Sequence, residues 1–210
     1  MRRRGRSALL AVAVVAGACT TPVSTEDFHA ASLSNGRIAF VALVPKAGGF
    51  RLDPEAAETG ARIVTARLLE QLDSRADLEV VPPPAAGRAL RAAELAWPGA
   101  DPAQVGELLG RTFGVAGFLA GEVTRYRDRV GSARGATRPA SVAFEIGLYT
   151  SSGKRLWRAE FQETQRGLSD DPGSFRRAWA RGFRWLTAEQ LAAYGAREAI
   201  ERVPGPASGP

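Results

Sequence analysis

The stretch A140-SVAFEIGLYTSSGKRLWRAEFQET-Q165 decides the fold. Val142, Phe144, Ile146 and Leu148 alternate with Ala143, Glu145, Gly147 and Tyr149, the period of two that buries one face of a strand. Ser151, Ser152 and Gly153 supply a turn, and Leu156 to Phe161 returns with Trp157, Ala159 and Phe161 on one face. The stretch therefore predicts an antiparallel hairpin.

Upstream of it, Arg37 to Pro45 is almost wholly apolar, as a central strand covered on both faces should be. Lys46 to Phe50 follows as a glycine-containing loop without the spacing of a phosphate cradle. Asp53-Pro54 pairs a capping acceptor with proline at the first helical position, and Ala57, Ala61, Val64, Leu68 and Leu72 recur at helical spacing. Leu78 to Val81 reads as a short strand and Ala85 to Ala96 as a short helix. Asp101-Pro102 starts another helix, which Gly114 terminates. Val115 to Val123 is the next strand, and the arginine-rich Tyr126 to Pro139 reads as a loop leading into the hairpin. Downstream, Asp171-Pro172 opens a helix with Phe175, Trp179, Phe183 and Leu186 on one face. Thr187 and Gln190 form a capping box for the last helix. The expected architecture is one α/β domain over residues 37–202, a mixed sheet flanked by helices. Its early strands are parallel and its late hairpin antiparallel.

The chain start has a different character. Arg2, Arg3, Arg4 and Arg6 precede an apolar run from Ala8 to Ala16, in the order of an export signal and too short for a membrane span. Residues 1–18 are the expected signal, 19–36 a tether and 203–210 a disordered tail. The 28 basic and 22 acidic residues give +6, but four arginines lie in the leader, leaving 24 against 22. A nucleic-acid partner, which needs a concentrated basic face, loses its support. His29 is the only histidine, and a single imidazole makes a poor ligand set, so neither a metal nor a cofactor is expected. Glu160, Glu163, Asp170 and Asp171 are the acidic cluster a glycan-cleaving enzyme would draw on, with solvation and helix capping as the plainer reading.

Ala16-Gly17-Ala18-Cys19 resembles the lipobox of bacterial lipoproteins, which implies cleavage before Cys19 and its fatty acylation with palmitate-like chains. Cys19 is the only cysteine, so it has no internal disulfide partner. Thr20 after it resembles the outer-membrane class. With Val44-Pro45, Gly114, Gly121 and Leu156-Trp157, the chain resembles bacterial lipoproteins built on the fold of the TolB amino-terminal domain, a group that includes LpoB and CsgG. A closer likeness, to uncharacterised Gram-negative lipoproteins, covers Trp157 to Phe161, Glu163-Thr164-Gln165, Leu168 and Trp185-Leu186-Thr187-Ala188. The added alternating segments of CsgG-type pores are missing, so no channel is expected.

The resemblance implies a non-enzymatic binding module at the periplasmic face of the outer membrane. It would be held by acylated Cys19 and serve envelope assembly, cell-wall synthesis or export through a protein partner. An oligomeric subunit of a secretion or transport apparatus is the alternative. Trp97, Tyr126, Arg127, Arg129 and Arg134 are the candidate contact residues, because exposed aromatics and arginines dominate binding energy. Core packing of Trp97 and plain solvation of the arginine loop are the competing readings.

Overall fold

The computed structural model describes residues 23–27, 33–48, 54–165 and 184–206. Cys19, His29, Asp53, Asp170 and the expected helix through Phe175, Trp179 and Phe183 lie outside these residues.

Nine strands are present among the described residues. They are β1 (Val23–Asp27), β2 (Arg37–Phe40), β3 (Val44–Pro45), β4 (Glu79–Val81), β5 (Gly117–Arg127), β6 (Val130–Ser132), β7 (Gly135–Arg138), β8 (Ser141–Thr150) and β9 (Arg155–Thr164). The described helices are α1 (Pro54–Asp73), α2 (Pro83–Ala92), α3 (Pro102–Phe113) and α4 (Ala188–Ile200). The main sheet runs β1-β9-β8-β5-β2-β4, with β3 also paired to β5. Pairs β2–β4, β2–β5 and β3–β5 are parallel, and β5–β8, β8–β9 and β1–β9 antiparallel. This is the expected mixed sheet.

The helix boundaries follow their local chemistry. The Asp101 side chain accepts from the Ala103 amide at 3.0 Å, and Pro102, which has no amide hydrogen to offer, opens α3. Gly114 closes α3 in the left-handed conformation, at φ 68°. Thr187 and Gln190 form both halves of the expected capping box ahead of α4.

The two faces of the sheet carry unequal cores. Helices α1 and α4 cover one face, burying Val64, Leu68, Leu72, Leu191 and Ile200 against Ile38, Phe40, Phe144, Ile146, Trp157 and Phe161. Facing residues of the hairpin fall in register on that side: Phe144 with Phe161, Ile146 with Ala159, Leu148 with Trp157. Helices α2 and α3 cover the other face over β4, β2, the start of β5 and the end of β8, with Leu90, Val105 and Leu109 against Ala39, Val41 and Phe118 and with Tyr149 alongside.

Several boundaries differ from the sequence reading. The single strand expected from Arg37 to Pro45 divides into β2 and β3, and the helix expected over Ala85 to Ala96 runs instead over Pro83–Ala92. Residues 19–36 are not simply a tether, because Val23–Asp27 pairs with β9, from Val23 opposite Phe161 to Asp27 opposite Trp157. Leu33 is also buried, 2% exposed. As an edge strand, β1 buries Val23 and exposes its next four residues, so no apolar alternation marks it. Residues 203–206 of the expected disordered tail are ordered: Val203 is in the core, and Pro206 bridges to Leu33. Finally, Tyr126 to Pro139 is not a bare loop. Tyr126 and Arg127 complete β5, and β6 and β7 form their own two-stranded ribbon.

Candidate functional site

Strand alternation sends every second residue of β5, β8, β9 and β1 away from the α1–α4 core. On the opposite face α3 reaches the start of β5 and the end of β8, and the rows beyond carry polar side chains. One row across it is Glu122, Glu145, Glu160 and Ser24, each opposite the next. The neighbouring row is Ala120, Gly147, Arg158 and Glu26. Three glutamates on adjacent strands would repel one another if left alone.

Arg158 resolves that repulsion. Its Nε donates to Glu145 Oε1 at 2.6 Å and its Nη2 to Oε2 at 2.8 Å, a two-pronged contact. Nη2 also reaches Glu160 at 3.3 Å, and Nη1 lies 3.6 Å from Glu26. Lys46 stands 3.9 Å from Glu122 at the other end of the row. The hydrogen bonds from Arg158, with its charge and those of Lys46 and Arg155, hold the Glu145 carboxyl below the usual range despite its partial burial. The same bonds to Glu145, with the charges of Glu145, Glu160 and Glu26, raise the Arg158 guanidinium further above its ordinary value. Gly147 leaves room for the neighbouring ring: a Cβ there would come 2.9 Å from the Tyr149 side chain.

This arrangement suits recognition better than proton transfer. A general acid needs a carboxyl held neutral near working pH, whereas Glu145 is fixed as an anion with both oxygens engaged. Of the four acids named from the sequence, Glu160 and Glu163 are three apart in β9 and so point to opposite faces, and Asp170 and Asp171 lie outside the described residues. Among the described residues no group of three potential ligands is placed to hold a metal ion, and no helix is long and apolar enough to cross a membrane.

The residues singled out from the sequence separate into two sets. Trp97 packs into the smaller core, edge-on to Phe118 at 5.8 Å and to Tyr149 at 5.3 Å between ring centres. Tyr126 lies under α1 against Gly60, where an added Cβ would meet its side chain at 2.5 Å. Burial there, with the nearby Asp128 and Glu189 charges, pushes its phenol up to about 12. Arg129 donates to the Trp185 carbonyl, tying the β6–β7 ribbon to the segment ahead of α4. Arg127 and Arg134 are the exposed pair. The glutamate row escaped the sequence reading, although Glu145 and Glu160 at alternate positions of a predicted hairpin were the available signal.

No protein-family model matches the chain, and no curated protein matches it. Solved structures similar to it include the hypothetical protein CT253 from Chlamydia trachomatis, 13% identical over 80% of this chain and 95% of that one, with a TM-score of 0.50. A PelC dodecamer from Paraburkholderia phytofirmans is 16% identical over 87% of this chain and 96% of that one, with a TM-score of 0.47. The group named from the sequence is represented by the LpoB C-terminal domain from Escherichia coli, 12% identical over 63% and 85%, with a TM-score of 0.38. At such identities what the chain shares with CT253 is the fold.

Proposed function

We propose that this chain is a lipid-anchored, non-enzymatic protein-binding module of the bacterial cell envelope, tethered through acylated Cys19 at the periplasmic face of the outer membrane. The observation that carries the reading is the charged face of the sheet. Its charges are arranged in rows and partly solvent-accessible, with Glu26 and Glu160 at 57% and 45% side-chain exposure. A rigid, patterned surface of this kind supplies specificity through charge complementarity, while the tether raises the local concentration of any partner in the same compartment. The leader and the small-residue run before Cys19 support export and anchoring.

Photocrosslinking from Gln162 and from Ser24, exposed positions on this face, tests the reading in cells. Adducts with an envelope protein are expected, and charge reversal at Arg158 should reduce them. Adducts with further copies of the chain alone would replace this reading by the oligomeric one. Labelled protein without any adduct would overturn both.

A further inference from the structure

We propose that the β6–β7 ribbon is a lipid-facing foot that rests on anionic phospholipid beside the Cys19 anchor. The proposal builds on the acylation of Cys19 and adds which surface of the body meets the bilayer.

The first support is where the chain enters the sheet. Only four peptide units separate Cys19 from Val23, so the anchor lies at most about 14 Å from the start of β1. Val23 stands opposite Phe161, which stands opposite Phe144, and Phe144 stands opposite Val123. From that line, β9 runs on to Thr164, β8 begins at Ser141 and β5 runs on to Arg127, all toward the same end of the sheet. The β6–β7 ribbon joins β5 to β8 at that end. A body anchored so closely beside Val23 must bring this end near the bilayer, and the opposite end, with the Ser151 to Gly153 turn and the end of α4, away from it.

The second support is charge. Residues 125–138 carry Arg125, Arg127, Arg129, Arg134 and Arg138 against the single acid Asp128. The mature chain has 24 basic and 22 acidic residues, so everything outside these fourteen residues holds nineteen against twenty-one. The ribbon is thus strongly basic on a body that is otherwise slightly acidic. Asp128 is also occupied, since its carboxylate accepts from the Ala188 amide at 2.9 Å and from the Arg129 amide at 2.8 Å. Arg127, Arg134 and Arg138 remain exposed.

The third is hydrophobicity and rigidity. Val130, at 45% exposure, is the one exposed large apolar side chain among the described residues, and it sits in β6. Arg129 to the Trp185 carbonyl and the Trp185 amide to the Ala133 carbonyl at 3.0 Å hold the ribbon in place. A basic ribbon with an apolar contact adds a second membrane signal to acylation, the combination that makes anchoring firm.

The test uses the chain from Cys19 to Pro210, which contains every described residue, coupled through its sole thiol to maleimide-lipid vesicles. The chemical link replaces acylation, so the outcome does not depend on whether cells acylate Cys19. Intact mass of the cellular protein reports on that separately. Amide hydrogen exchange is compared on neutral and on anionic phospholipid vesicles. Exchange across residues 130–138 should slow about tenfold on the anionic surface only, and this protection should vanish with Arg127→Glu, Arg134→Glu and Arg138→Glu combined. Unchanged exchange in α2 and α3 verifies folding of that variant. Equal exchange on both vesicle types, or protection confined to another surface, overturns the proposal.

Discussion

The β8–β9 hairpin presents two faces made of the same strands by alternate residues, and they obey different rules. Toward α1 and α4 it places Phe144, Ile146, Trp157 and Phe161, none more than 1% exposed. Toward the open side it places Glu145, Arg158 and Glu160. The first face is held by apolar burial, which depends on volume and little on direction. The second is held by direction: Arg158 must aim both prongs at Glu145 to keep three carboxylates side by side. Stability resides mainly in the former, and the proposed recognition rests on the latter.

Substitutions should separate the two faces in decreasing order. Phe161→Ala removes a ring tilted against Phe144, with centroids 5.3 Å apart, and packed against Gly195 of α4. It should cost about 3–5 kcal/mol in urea unfolding, enough to unfold a marginal domain. Arg158→Ala should cost about 1–2 kcal/mol, because it strands a partly buried carboxylate while leaving the apolar core intact. A loss as large as that of Phe161→Ala would mean the open face carries the fold.

Acid sensitivity sharpens the same contrast. Arg158 keeps the Glu145 carboxyl below its ordinary value, so its contribution is full above the unfolded-state pKa of about 4.3 and is lost as pH falls through the lower folded-state value. Glu145→Gln should therefore flatten the fall of stability below about pH 4 relative to the parent, measured by urea midpoints across that range. An unchanged slope would remove Glu145 from the account. Gln162→Ala, on the open face opposite Ala143, should change stability by no more than about 0.5 kcal/mol.

The hairpin, the helix starts at Pro54, Pro102 and Thr187 and the parallel early strands were legible because each rests on local chemistry: alternation, capping acceptors, proline and glycine. What escaped was long-range. Val23–Asp27 is a strand only because β9 offers it an edge, and four of its five residues are exposed. Val203 is buried only because the end of α4 lies over the core. Trp97 was equally compatible with a surface or a core until Phe118 and Tyr149 met it from distant strands. The glutamate row likewise exists only through pairing, since Glu122 and Glu145 become neighbours across β5 and β8.

The proposed anchoring at Cys19 underlies both the binding-module reading and the membrane-facing ribbon, and intact-mass spectrometry of protein extracted from cell membranes tests it most directly. The account predicts a chain that begins at Cys19 and carries a diacylglyceryl thioether and an acylated amine. A free thiol on Cys19, or a chain still bearing residues 1–18, would contradict it.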